Sequence, residues 1–286
     1  MAKLRRLALA GVAAASCGWA KAADLPPAPS LPPPSPTEGE FAGWYLRGDV
    51  GVGVNSTAPE LKTSPAASVA GGFVSGAATQ TFNNATLSPF GMVDIGAGYQ
   101  LNSWFRADAT LEYRAGADLQ SRSALTDGGP ELYANSDRAD VASIVGLVNG
   151  YANLGTWYGF SPFLGAGVGF ADNRLSGFTG QNLGYAGYPS PGSVGYANGS
   201  RTSFAWALMA GVDFNISANL RLELGYRYLN YGAITAGGSS CGTFSIVSCG
   251  GGANTISSRN RLASSDFRLG LIYLIGEVPP PAVVGD

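Results

Sequence analysis

Apolar and polar residues trade places one by one along much of this chain, most regularly over 93–113, VDIGAGYQLNSWFRADATLEY. From Phe105 the odd positions are apolar or small (Phe105, Ala107, Ala109, Leu111, Tyr113) and the even ones polar (Arg106, Asp108, Thr110, Glu112, Arg114). Successive side chains of a strand point to opposite faces, so this period of two predicts a two-faced strand, whereas a helix would mix the two sets. Just before it, Val93, Ile95, Ala97, Tyr99 and Leu101 alternate with Asp94, Gly96, Gly98 and Gln100, and Asn102 and Ser103 separate the runs. The pair reads as a hairpin with a tight turn.

The same design recurs. A first strand over 44–54 sets Trp44, Leu46, Val50, Val52 and Val54 against Tyr45, Arg47 and Asp49. A fourth, over 138–151, is apolar on both faces at SIVGLVNGY, so the pattern does not decide which face Asn149 takes. A fifth, over 162–171, sets Leu164, Ala166, Val168 and Phe170 against Phe163, Gly165, Gly167 and Gly169; the glycines either make room for large neighbours or ease a bend. Further strands follow over 203–216, 220–229 and 265–275, with Asp213, Arg221, Glu223, Arg227, Asp266 and Arg268 on their polar faces. Stretches without a sustained period, 55–88, 115–137 (with Asp127-Gly128-Gly129-Pro130 as a turn signal), 172–202 and 230–263, read as long loops after strands one, three, five and seven. Short connections follow strands two, four and six.

Alternation alone fits either a soluble sheet or a membrane barrel with lipid outside and a polar lumen inside. Phe105 and Tyr113 mark the two ends of one apolar face, as the aromatic girdles of an outer-membrane barrel do. Composition agrees, with 13% charged residues and 42 glycines among 286. No run approaches the roughly 18 apolar residues of a membrane helix, so any crossing is by strands. The fold expected is all-β: an eight-stranded antiparallel up-and-down transmembrane β-barrel with long extracellular loops over 41–276.

In such a barrel Arg47, Arg106, Arg114, Arg221, Arg227 and Arg268 face inward with Asp49, Asp94, Asp108, Glu112, Asp213, Glu223 and Asp266. The signs nearly balance, which predicts a lumen filled by ion pairs. Asp108 and Glu112 as acid and base is the competing reading. Eight strands leave an interior just wide enough for side chains, so a plug is expected, with a narrow porin or small-solute channel as the alternative.

The chain has no histidine, the commonest general base and metal ligand, and no other constellation suggests catalysis, so a non-enzymatic protein without cofactor is expected. Gly165 to Gly169 only imitates a dinucleotide fingerprint, because no helical pattern follows. A net charge of −2 argues against a nucleic-acid partner. Cys241 and Cys249 are too few for a zinc site; in an oxidising compartment a disulfide is expected, with two free thiols as the alternative. Lys3, Arg5 and Arg6, an apolar stretch from Leu7 to Ala15, and Ala20-Lys21-Ala22 have the layout of a signal peptide over 1–22. A Pro-rich linker over 23–40 follows, and 277–286 reads as a periplasmic tail.

The AADLPP after the signal peptide, the opening GWYLRGDVGVG, the central SIVGLVNGYANLGTWYGFSPFLGAGVG and the final DFRLGLIY resemble the alphaproteobacterial outer-membrane β-barrel family, opacity-type surface antigens similar to the OmpA transmembrane domain. The resemblance covers most of 41–275 and leaves out the loops. It implies a barrel in the outer membrane, inserted by the barrel-assembly machinery, in contact with lipid and lipopolysaccharide, with a role in envelope integrity and surface contact and an extracellular ligand met through the loops. The family has no shared catalytic residues to carry over. The chain does not stop at the aromatic that usually ends such barrels, so Tyr273 becomes the candidate assembly signal.

Overall fold

A computed structural model of the chain describes residues 42–64, 68–71, 74–77, 79–126, 131–183, 193–241 and 255–275. The expected signal peptide, linker and tail lie outside the described residues, as do the turn signal at 127–130, Cys249 and the side chain of Cys241. Eight long strands carry the architecture: β1 Gly43–Asn55, β2 Phe90–Gln100, β3 Phe105–Thr126, β4 Glu131–Asn153, β5 Phe160–Asn182, β6 Gly199–Asn215, β7 Leu220–Gly232 and β8 Leu262–Ile275. Each pairs antiparallel with the next, and β8 pairs back onto β1, so the ring of eight closes. A closed ring leaves no unpaired backbone edge, which is what a sheet needs to cross hydrocarbon.

The two faces of each strand follow the alternation in the sequence. Trp44, Leu46, Val50 and Val52 are exposed on β1, while Tyr45, Arg47 and Asp49 are buried. On β4, Asn149 points inward at 2% exposure and Val148 outward at 63%, which settles the face that the apolar run left open. Outward aromatics gather at both rims of an apolar belt: Trp44 and Tyr99 pack edge to face with centroids 5.4 Å apart near the short turns, and Tyr226 and Phe267 do the same at 5.6 Å on the other side. The β2–β3 turn spans 101–104, two residues longer than the alternation suggests, because Asn102 Oδ1 accepts from the backbone N–H of Trp104 (2.9 Å) and Phe105 (2.8 Å).

Inward glycines stand directly opposite large lumen side chains. Gly98 pairs with Tyr45, Gly165 with Tyr151 and Gly211 with Phe163. A Cβ at these glycines would lie 2.4, 2.6 and 2.6 Å from the facing ring. Of the two roles the sequence allowed for the β5 glycines, making room is the one seen at Gly165 and at Gly167, which sits against Asn149.

The expected loops differ most from the structure. Over 115–137 and 172–202 the chain does not leave the sheet: β3, β4 and β5 run on past the belt to Thr126, from Glu131 and to Asn182. The sequence pattern breaks because each extension contains a bulge with a glycine at positive φ. Gly116 (φ 86°) lies where the β3–β4 register shifts between Arg114 and Ala117, and Gly177 (φ 63°) lies where the β4–β5 register shifts between Arg138 and Asp140. One extra residue exchanges the odd and even faces, so a period counted from Phe105 fails beyond Arg114. The first expected loop contains strands Leu61–Ser64, Ser68–Gly71, Val74–Ala77 and Thr79–Leu87, the last of which pairs with β3. The fourth contains Ser239–Cys241 and Thr255–Ser258, the latter paired with Leu61–Ser64.

Together these extensions form a crown whose apolar interior continues the apolar side of the lumen. Leu119, Leu175, Phe178, Leu229, Ile234, Ile256 and Leu262 are each at most 2% exposed and belong to one apolar cluster. Asp118, Gln120, Arg138 and Arg174 face outward from the same strands.

Candidate functional site

Inside the belt, the inward alternation of β1, β2, β3, β6, β7 and β8 brings five arginines and seven carboxylates into one buried lattice. Arg47 is the hub of its lower tier. Its Nε and Nη2 donate to Asp49 at 2.9 and 2.7 Å, its Nη1 to Asp108 Oδ2 at 2.9 Å, and its Nη2 also to Glu223 Oε1 at 2.8 Å. Arg106 reaches Asp213 and the other oxygen of Glu223, each at 2.8 Å. The Arg106 guanidinium also lies over the rings of Tyr151 and Phe163, 4.7 and 4.8 Å from their centroids, so its faces are covered as well as its edge.

The upper tier is built around Arg227, which donates from Nη2 to Glu112 Oε2 (2.6 Å) and Asp266 Oδ2 (2.8 Å). Arg114 pairs with the same two carboxylates and adds Ser264 Oγ at 3.1 Å. Its guanidinium rests on the Phe90 ring at 4.6 Å. Between the tiers, Arg268 pairs with Asp94 and lies 3.1 Å from Asp49. Arg221, at the floor and only partly buried, donates to Gln100 Oε1 at 2.8 Å. The inward charges read from the sequence thus meet in one lattice, with Arg221 at its margin.

Beside Ser264 and Gln100, three further neutral residues join the lattice, and the sequence reading did not single them out as partners. The Tyr45 hydroxyl donates to Asp108 Oδ2 at 3.0 Å, Asn149 Nδ2 donates to Asp108 Oδ1 at 2.8 Å, and the Tyr151 hydroxyl accepts from Arg47 at 2.9 Å. Tyr45 was legible from its inward parity beside Arg47. Tyr151 and Asn149 were hidden by the two-sided apolar run of β4.

Charge fills only one side of the lumen. The opposite wall, from β4 to β6, is largely apolar, with Val145, Leu147, Phe163, Ala205, Ala207 and Met209 buried, and adds Asn149, Tyr151 and Asp213 to the lattice. Where lattice and crown core meet, a cavity of about 10 Å³ remains among Phe90, Arg114, Ala117, Val141, Ser143 and Tyr231, room for one water at most. Asp108 and Glu112, the acid and base candidates, sit in different tiers, each paired with arginine. Among the described residues no group of three or more His, Cys, Asp or Glu is placed to hold a metal ion.

Comparison with known proteins agrees with this geometry. The family model described as the outer membrane protein beta-barrel domain matches residues 8–248. An uncharacterised protein of Brucella abortus (strain 2308) is 31% identical over 231 residues, covering 75% of this chain and 76% of that protein. A candidate adhesin of Rickettsia bellii (strain OSU 85-389) is 27% identical over 202 residues, 68% of this chain and 75% of its own. Outer membrane protein PagN of Salmonella typhimurium is 24% identical over 183 residues, 63% and 70% of the two chains. With a closed ring of eight strands, an apolar belt between aromatic rims and a family match over most of its length, the chain belongs to the outer membrane protein beta-barrel domain family and resides in the outer membrane of a Gram-negative cell.

Proposed function

We propose that the protein is a sealed, non-catalytic barrel that braces the outer membrane and presents its crown as a surface for contact with the outside. The observation that carries this reading is the lumen: guanidinium and carboxylate groups pair across it from wall to wall, and the apolar crown core lies above them. Buried charges held by several partners each are costly to rearrange, which suits a plug and not a pathway. The naming of a Rickettsia relative as a candidate adhesin is in keeping with surface contact. In this reading the belt meets lipid and lipopolysaccharide, the barrel-assembly machinery inserts the chain with Tyr273 as its signal, and the outward polar residues of the crown meet the extracellular partner.

Refolded protein in planar bilayers is expected to give no steady single-channel current; large uniform openings would overturn the plug. A narrow channel is the second reading, favoured by Asp94 Oδ1, Asp213 Oδ1, Asp266 Oδ1, Arg106 Nε and Arg268 Nε, buried lumen atoms with no protein hydrogen-bond partner that waters could link. Orientation is tested by placing a cysteine at Gln120 and labelling intact cells with an impermeant maleimide. Labelling only after lysis would put the crown in the periplasm and remove the contact role.

A further inference from the structure

One buried acid is not paired as the lumen acids are. Each of the seven lattice carboxylates has an arginine within ion-pair distance. Asp137, on the crown portion of β4 and 2% exposed, has no such partner among the described residues. Ser121 Oγ on β3 donates to its Oδ2 at 3.3 Å, and Ser123, fully buried, lies on the same face of that strand. On the other side Asp137 stands opposite Gly180 of β5. Tyr196, from the strand Ser193–Tyr196 that pairs with β5, is the ionisable group that faces it, and that phenol packs edge to face on Phe178 at 5.2 Å. The charged neighbours Asp118 and Arg122 on β3, Arg138 and Asp140 on β4, and Arg174 on β5 are exposed on the outer face. Between the described segments, the sequence over 65–67, 72–73, 78, 127–130, 184–192 and 242–254 contains neither Lys nor Arg. No cation of that sequence can neutralise Asp137, which leaves the proton.

We propose that Asp137 makes the crown an acid-tightened cap: with its proton on, the β3–β4 ribbon packs against β5 and the Ser193–Tyr196 strand, and with its proton off, the lone buried anion favours opening of that seam. A neutral carboxyl among serine hydroxyls is inexpensive to bury, while an anion there lacks the water it would regain on opening. Burial moves the Asp137 carboxyl up to about 6, against the opposing pull of Ser123 and Ser121. The same burial, with Asp137 nearby, moves the Tyr196 phenol up to about 12, so it stays neutral throughout this range. The sign follows. A carboxyl whose closed-state value lies above its free value of about 3.9 stabilises closure fully below the free value. That stabilisation is lost as pH rises through about 6. The device concerns the crown's own order and holds whatever the crown contacts.

Hydrogen exchange on the refolded full-length barrel, corrected for the intrinsic pH dependence of exchange, reads this directly. Over 117–126, 134–142 and 193–196, protection is expected to fall about tenfold between about pH 5 and pH 7.5, the ratio set by those two values. The belt segments 105–113 and 144–152 are expected not to change. Asp137→Asn, a neutral isostere of the protonated acid, should keep crown protection high at both pH values, and Asp118→Asn on the outer face should behave as the parent chain. Equal parent protection at both pH values overturns the proposal, and so does a pH dependence that survives in Asp137→Asn. Should that variant fail to refold, the parent titration decides alone: a midpoint near 6 supports the device and a flat profile refutes it.

Discussion

Glu112 and Leu119 lie on one strand, point to the same interior and are almost equally buried, yet one is a charge and the other a hydrocarbon. Between them β3 leaves the apolar belt. Below that border the exterior must be apolar and the interior collects the charge lattice; above it water takes the exterior and the interior is mainly hydrocarbon. The bulge at Gly116 marks the border and moves inward parity from even to odd residues. What a barrel strand turns outward is thus set by its surroundings, and a strand can change solvent midway if one extra residue lets it change step.

The largest expected effect tests the charged interior. Asp108→Ala would strand donors from Tyr45, Arg47 and Asn149, and should cost about 3–5 kcal/mol in urea unfolding of the refolded barrel if the lattice is dry. Its neighbour Ala109→Leu, on the lipid face, should change little. A neutral Asp108→Ala would mean that water already screens the lattice, which favours the channel reading.

The outward faces come next. Leu111→Arg places a charge on the belt and should cost about 2–4 kcal/mol, whereas Gln120→Arg, outward on the same strand above the bulge, should stay within about 0.5 kcal/mol of the parent. Equal penalties would show that lipid reaches the crown. At the border itself, Gly116→Ala meets no atom within 4 Å of its new Cβ, so its cost is the backbone's alone. About 1–2 kcal/mol is expected from the left-handed conformation, read as lost amide protection of the crown.

The smallest effect lies at the far end of the barrel. Tyr158 and Gly159, between Trp157 and Phe160, both have positive φ (52° and 83°), and Tyr158 is 98% exposed. The Trp157 N–H donates to the Phe160 carbonyl at 2.8 Å, and the Phe160 N–H donates back at 3.0 Å. This is the geometry in which Asn-Gly is preferred. Tyr158→Asn is therefore expected to stabilise by a few tenths of a kcal/mol, visible as a small rise in the urea midpoint. A loss would mean that the tyrosine contributes to the membrane rim.

The belt was legible in the sequence because lipid imposes one rule on every outward residue. Trp44, Leu111, Leu164 and Phe267 announce their face, and the charges opposite them announce the lumen. The crown was not legible for the same reason. Outside the bilayer, Ala117, Leu119 and Val141 inward with Asp118 and Gln120 outward make only a weak contrast, and the bulges at Gly116 and Gly177 reset the count. Asn149 and Tyr151 were hidden because β4 is apolar on both faces: the inward residues next to them, Val145 and Leu147, are hydrocarbon, a fact set by packing across the lumen and invisible along one strand. Asp137 looked like part of a polar loop, and only the pairing of β3, β4 and β5 reveals that it is enclosed.

The glycines opposite Tyr45, Tyr151 and Phe163 have a consequence for assembly. Alternation forbids a strand from joining its neighbour one step out, but it is blind to an error of two steps, which restores every face. At the β5–β6 seam that error would set Phe163 against Met209 or Asp213 in place of Gly211, with no notch to receive the ring. Bump and notch thus act as a key between neighbouring strands, and because the ring is closed, one seam that accepts only its own key limits the settings open to the other seven.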